Sequence, residues 1–169
     1  MACFFILGNR DLSLREDSMN SPIKLFGQIK IEAQQMINLD TGTAIAFIAE
    51  NSSIRYELRQ YVKEQEMVMT QTAFAEFTTI VKTIARLSEQ NRANRLLQRV
   101  TIIPDNPSPR ALNLQPTRKL GINDIIILGT GDQLNIFTTT ADAKAVRAAS
   151  AQGVDFDVYI HLPFPLTGN

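Results

Sequence analysis

A single cysteine, Cys3, in a chain of 169 residues excludes an intramolecular disulfide. A single histidine, His161, with no second histidine or cysteine beside it, excludes an ordinary zinc site and a Cys/His nucleophile pair. Net charge is absent as well: 17 Lys and Arg balance 17 Asp and Glu, so bulk attraction points to neither nucleic acid nor membrane, although a local patch escapes that argument. No run approaches the roughly 18 apolar residues of a membrane span. The opening MACFFILGNRDLSLRED lacks the basic start and long apolar stretch of a secretory signal. Gly129 and Gly131 belong to no GxxxxGK[ST] or GxGxxG loop, and no internal repeat is visible. These absences suggest a soluble, cytoplasmic protein, not associated with a membrane, with one domain of ordinary size.

What is present is an alternation of short apolar runs and helical stripes. Residues 1–35 read as an N-terminal extension, with Leu25, Phe26 and Ile29 after Ser21-Pro22. A domain is expected over 36–162, followed by a C-terminal tail at 163–169. Met36 to Leu39 is a strand candidate and TAIAFIA (43–49) a short buried helix. Ser52-Ser53 offers an N-cap to a helix carrying Ile54, Leu58, Tyr61 and Val62. Met67 to Met69 is a second strand. A long helix from about Thr72 carries Phe74, Phe77, Val81, Ile84 and Leu87, and continues or restarts through Leu97. Val100 to Ile103 is a β-branched strand ended by Pro104, and a proline-rich stretch then holds one short helix near Arg110 to Leu114. Helix returns around Asn123. Ile136 to Thr139 is a strand, Ala141 to Ala149 a helix and Phe156 to Ile160 a last strand. Such alternation implies a mainly parallel sheet with helices on both faces, an α/β chain forming a three-layer α/β/α sandwich.

Open parallel sheets bind ligands at the carboxyl ends of their strands. Four acids fall there: Asp40 after the first strand, Glu76 in the helix after the second, Asp124 at a helix start, and Asp142 after the fourth strand. Each has a plain structural reading. Asp40 and Asp142 suit N-caps, and Asp124 complements a helix dipole. Glu76 is harder to dismiss, since it sits among Phe74, Ala75 and Phe77. Convergence would have consequences. Two unit charges about 5 Å apart repel by roughly 3 kcal/mol at an effective dielectric of 20. Several such carboxylates raise one another's pKa or hold a hard cation such as Mg²⁺ or Mn²⁺.

INLDTGTAIAFI (37–48) resembles the opening of PIN-domain ribonucleases, in which a strand leads to an Asp, a small hydroxyl residue and an apolar helix. TAFAEFTTI (72–80), DIIILGT (124–130) and IFTTTAD (136–142) resemble that family's second, third and fourth segments, in order. The resemblance covers about residues 36–160. It implies a PIN-like fold and a divalent-metal-dependent ribonuclease, of the kind that occurs in toxin–antitoxin pairs, hydrolysing single-stranded or structured RNA. Asp40, Glu76 and Asp124 would hold Mg²⁺ or Mn²⁺, Asp142 would be the fourth acid, and Thr41 and Thr138 or Thr139 would be supporting hydroxyls. An inhibitor protein and a second copy of the chain are the protein partners it implies. The same scaffold without activity, serving binding or oligomerisation, is the alternative.

Two further features bear on function. Asp40-Thr41-Gly42-Thr43 also matches the aspartic-protease signature, but those proteases are almost all β, against the helical stripes at 53–64 and 72–98. Between Arg86 and Lys119, basic residues outnumber Glu89 and Asp105. Arg92, Arg95 and Arg99 there share one helical face, which suits RNA phosphates or simply a solvated surface.

Overall fold

A computed structural model describes residues 35–167. The N-terminal extension, its Ser21-Pro22 start and Cys3 lie outside the described residues. The described chain runs β1 (Met36–Leu39), α1 (Thr41–Ile48), α2 (Arg55–Tyr61), β2 (Glu66–Thr70), α3 (Gln71–Ile84), α4 (Leu87–Leu97), β3 (Val100–Ile103), α5 (Pro109–Leu112), α6 (Ile122–Gln133), β4 (Thr138–Thr140), α7 (Ala143–Ser150) and β5 (Val158–Ile160). All strand pairs are parallel, in the order β3-β2-β1-β4-β5. The result is the three-layer α/β/α sandwich that the alternation implies. It also rules out the all-β protease alternative. No helix among the described residues is long and apolar enough to cross a membrane.

The larger core joins Ile37, Leu39, Met67 and Met69 of the sheet to Ala44, Phe47 and Ile48 of α1, Leu58 of α2, Phe77 of α3 and Leu96 of α4. A second core gathers Ala111, Leu120, Ile125, Leu128, Ala145, Ala149 and Phe156 around α5, α6 and α7. The α6 helix contributes to both, since Ile127 belongs to the first. This explains the unbroken Ile125–Leu128 run: a helix wedged between two cores is apolar on more than one face.

Local chemistry sets the element boundaries, and several differ from expectation. Thr70 caps α3, its Oγ1 accepting from Ala73 N at 3.1 Å. Of the two courses open to the long helix, it restarts: Ala85 turns extended, and α4 begins after Arg86, so that Leu87 belongs to α4. Ser52 and Ser53 do not cap α2. Ile54 holds the cap position with no side-chain bond, and the turn is made by Asn51 at φ 53°. The fourth strand starts two residues later than Ile136. Asn135 adopts φ 53° and Ile136 N bonds back to Gly131 O, so the chain is still closing α6 where strand was expected. Residues 163–167 pack against the domain: Phe164 and Leu166 lie on the larger core, and Thr167 bonds Glu89.

Candidate active site

In this strand order the chain leaves β1 in one direction and returns on its other side as β4, so a topological switch point lies between them. Leu39 pairs with Thr139, which sets Asp40 beside Thr140 at the carboxyl ends. Thr140 Oγ1 donates to Asp40 Oδ2 at 2.6 Å, and Asp40 Oδ1 accepts from Thr41 N at 2.7 Å, capping α1. Both carboxylate oxygens are therefore engaged. Gly42 keeps this corner narrow, since a Cβ there would lie 3.3 Å from Ala141 Cβ.

From Asp40 the contacts run outward in both directions. Thr41 Oγ1 donates to Glu76 Oε2 at 2.8 Å, and Asn123 Nδ2 donates to Glu76 Oε1 at 2.6 Å. Beside Asn123, Asp124 reaches back so that its Oδ2 accepts from Gly121 N at 2.7 Å. In the other direction Thr140 Oγ1 accepts from Asp142 N at 3.0 Å, while Asp142 Oδ1 caps α7 by accepting from Lys144 N and Ala145 N. The plain readings of Asp40, Asp124 and Asp142 as helix-start residues hold, and the same geometry sets them near one another around the carboxyl ends of β1 and β4. A cap uses particular oxygens and leaves the rest of the carboxylate's charge in place.

That charge is felt across the group. Burial raises the Asp40 carboxyl to about 6 against the lowering bonds from Thr140 and Thr41, and the charges of Asp124 and Glu76 push it the same way as burial. Burial likewise raises Asp124, with Asp142 and Glu76 adding to it against the Gly121 N–H. All four predicted acids thus enter one electrostatic group. The acids are nonetheless threaded through hydroxyl and amide bridges, and among the described residues no three acidic, His or Cys side chains stand together as a ready-made metal cage. The donors themselves suit a hard cation, being carboxylate oxygens, two of them destabilised as anions.

The other predicted residues divide. Thr41 is in the group. Thr138 and Thr139 are not: Thr138 Oγ1 accepts from Asn38 Nδ2, and Thr139 Oγ1 donates to Asn38 O, both 3.0 Å and buried. The late start of β4 puts Thr140 in their place. Arg92, Arg95 and Arg99 lie elsewhere. Arg92 pairs with Glu50 and bonds Ile48 O, and all three line a concavity with Met67, at the amino end of β2. The basic residues beside the acids are Arg118, Lys119 and Lys144, which share a cleft of about 650 Å³ with Asp124 and Asp142. Lys119 and Lys144 also line an adjoining cleft that runs past Arg147 along α7. Arg118 and Lys119 fall in the basic stretch 86–119, and nothing local there marks that the fold sets them against acids.

The description "Protein of unknown function (DUF1308)" belongs to a family model that matches residues 43–169. The chain is a member of the DUF1308 family. Solved structures supply the fold of this DUF1308 chain. VapBC2 from Rickettsia felis, bound to a DNA fragment from its promoter, is similar at a TM-score of 0.51 and 18% identity, over 68% of this chain and 93% of that one. VapBC-1 from nontypeable Haemophilus influenzae matches at 0.51 and 17%, over 75% and 98%. PAE2754 from Pyrobaculum aerophilum matches at 0.51 and 12%, over 68% and 79%. At such identities the likeness concerns the fold alone, and the fold is PIN-like, as the four short segments led us to expect.

Proposed function

We propose that this DUF1308 protein is a divalent-metal-dependent ribonuclease that hydrolyses RNA phosphodiesters at the β1/β4 switch point. One observation carries the reading: carboxylates from four separate segments lie within electrostatic reach of one another around the β1/β4 strand ends, where burial, reinforced by the charges of Asp124 and Glu76, holds Asp40 at about 6. Two buried carboxyls, Asp40 and Asp124, pushed up further by neighbouring acids, gain by binding a cation. Asp40, Glu76 and Asp124 would hold Mg²⁺ or Mn²⁺, with Asp142 at the edge. When bound, such an ion supplies activation of water and stabilisation of charge on the phosphate. Thr140 and Thr41 orient the carboxylates through their hydroxyls. Arg118, Lys119 and Lys144 face phosphates entering the cleft.

A second reading, an inactive PIN-like module for binding or oligomerisation, is favoured by Glu76, whose two oxygens are both taken by Thr41 and Asn123. The experiment that separates the two pairs an assay with a binding readout. Unstructured RNA with Mn²⁺ should be cut by wild type, and cleavage should fall in Asp40→Asn and Asp124→Asn by more than the ~100-fold typical of outer-shell changes at metal sites. Titrating Mn²⁺ near pH 6 should release protons, because Asp40 must lose its own to bind. Equal cleavage by all three proteins overturns the nuclease. No cleavage, together with no proton release, establishes the module instead.

A further inference from the structure

A basic concavity of about 480 Å³ lies at the other end of the sheet from the acids. Five cationic side chains line it: Arg59 and Lys63 from around α2, and Arg92, Arg95 and Arg99 from α4 and the turn after it. No acidic side chain among the described residues does. Its apolar floor includes Met67 and Leu96, both buried. Met67 pairs with Ile37 and Val100, at or near the amino end of each strand, whereas Asp40 and Thr140 mark the carboxyl end. A strand of four or five residues rises ~13–17 Å, so one short segment of RNA lying on the acids does not fill this concavity.

Arg92 is accounted for. Its Nη2 bonds Glu50 Oε2 at 2.7 Å, and its Nε bonds Ile48 O at 2.6 Å. That arrangement fixes one guanidinium at the rim. Arg59, Lys63, Arg95 and Arg99 are exposed and have no ion-pair partner among the described residues. The positive field of this region reaches a neighbour: burial first, then the charges of Arg92 and Arg59, lower the pKa of Arg55. Like charges held in one concavity are a standing repulsion that a multivalent anion relieves. Guanidinium forks match phosphate oxygens in pairs, and 480 Å³ is the size of a small-ligand site.

We propose that this concavity is a second anion site, separate from the acidic group, that binds clustered phosphates. The phosphates come either from a free nucleoside polyphosphate or from a nucleic-acid backbone, since both present the same oxygens. The proposal does not depend on nuclease activity.

Tripolyphosphate and a six-nucleotide single-stranded RNA are the probes, each titrated by calorimetry into the full chain at low salt with EDTA present. Tripolyphosphate should bind saturably, weaken as salt rises, and lose at least about tenfold in affinity in Arg95→Gln/Arg99→Gln. The thermal midpoint of that variant should match wild type, because neither side chain has an ion-pair partner among the described residues. Lys82→Gln, exposed on α3 and outside both the concavity and the acidic cleft, should bind tripolyphosphate as wild type does. If RNA binds in the same Arg95/Arg99-dependent way and tripolyphosphate does not, the site holds and its ligand is a nucleic-acid backbone. The absence of saturable binding of both probes up to about 1 mM overturns the site, as does binding undiminished in Arg95→Gln/Arg99→Gln.

Discussion

Asp40 does two things at once: it caps α1, and it carries a charge that its surroundings disfavour. Its carboxyl sits at about 6 in the folded chain against an ordinary 3.8. Holding a proton therefore favours the fold. This contribution is full below about pH 4 and is lost as pH rises through 6. Asp40→Asn, which cannot ionise, should be more stable than wild type at pH 7.5 by as much as about 3 kcal/mol, since a tenfold change in proton affinity is worth about 1.36 kcal/mol. The gap should close by pH 4. Urea unfolding at the two pH values measures it. A variant that is less stable at pH 7.5 would mean that the bonds from Thr41 and Thr140 need the full carboxylate. Removing only the Thr140 bond, by Thr140→Ala, should raise the Asp40 titration further, as carbon-detected NMR would read.

Helix α6 shows how an element can serve a site from behind. Its first turn supplies Asn123 and Asp124, while its last turns are pressed against neighbours through two glycines. A Cβ at Gly131 would lie 2.2 Å from Thr138 Oγ1, and one at Gly129 would lie 2.6 Å from Ala111 Cβ. Gly131→Ala should therefore push α6 off β4 and destabilise the protein by about 1–3 kcal/mol, read as a lower thermal midpoint. Because Thr138 and Thr140 belong to the same strand, nuclease activity on the proposed reading should fall with it.

The same region shows what the sequence could convey. Strands β1, β2 and β3 are legible because each is a short β-prone apolar run bounded by a charge, a helix start or Pro104. Asp40, Glu76 and Asp124 are legible because each is an acid next to core. The fourth strand is legible as a strand but its register is not, because three successive threonines have no alternation, and only the pairing of Leu39 with Thr139 decides which hydroxyl meets Asp40. Asn123 was missed for a similar reason: its partner Glu76 is 47 residues away, and nothing local marks that contact.

At the scale of the whole molecule, the C-terminal stretch fastens the fold at a buried acid. Glu89 is fully buried, and burial alone would raise its carboxyl. Backbone N–H groups of Arg86, Glu50 and Thr167, with the Thr167 hydroxyl, outweigh that and hold it below the ordinary range. Its contribution is therefore present above the unfolded pKa and lost as pH falls through the folded one, opposite in sign to that of Asp40. Deleting residues 162–169 removes two donations from Thr167 and the packing of Phe164 and Leu166. The loss should be about 2–4 kcal/mol, and the truncated protein should unfold at a higher pH on acidification. Circular dichroism across an acid titration of both forms tests this. An unchanged acid midpoint would mean that Glu89 is held by Arg86 and Glu50 alone.

The pairing of β1 with β4 has a consequence for synthesis. Asn38 and Thr138 share a hydrogen bond across a separation of 100 residues. Asp40 therefore lacks Thr140 until 100 further residues have been made, and Glu76 lacks Asn123 until 47 further residues have been made. Closing so long a loop is slow and is rewarded only once both strands exist. A growing chain carries Asp40 as an isolated, ordinary carboxylate, and the surroundings that set it apart arrive only once β4 has been made.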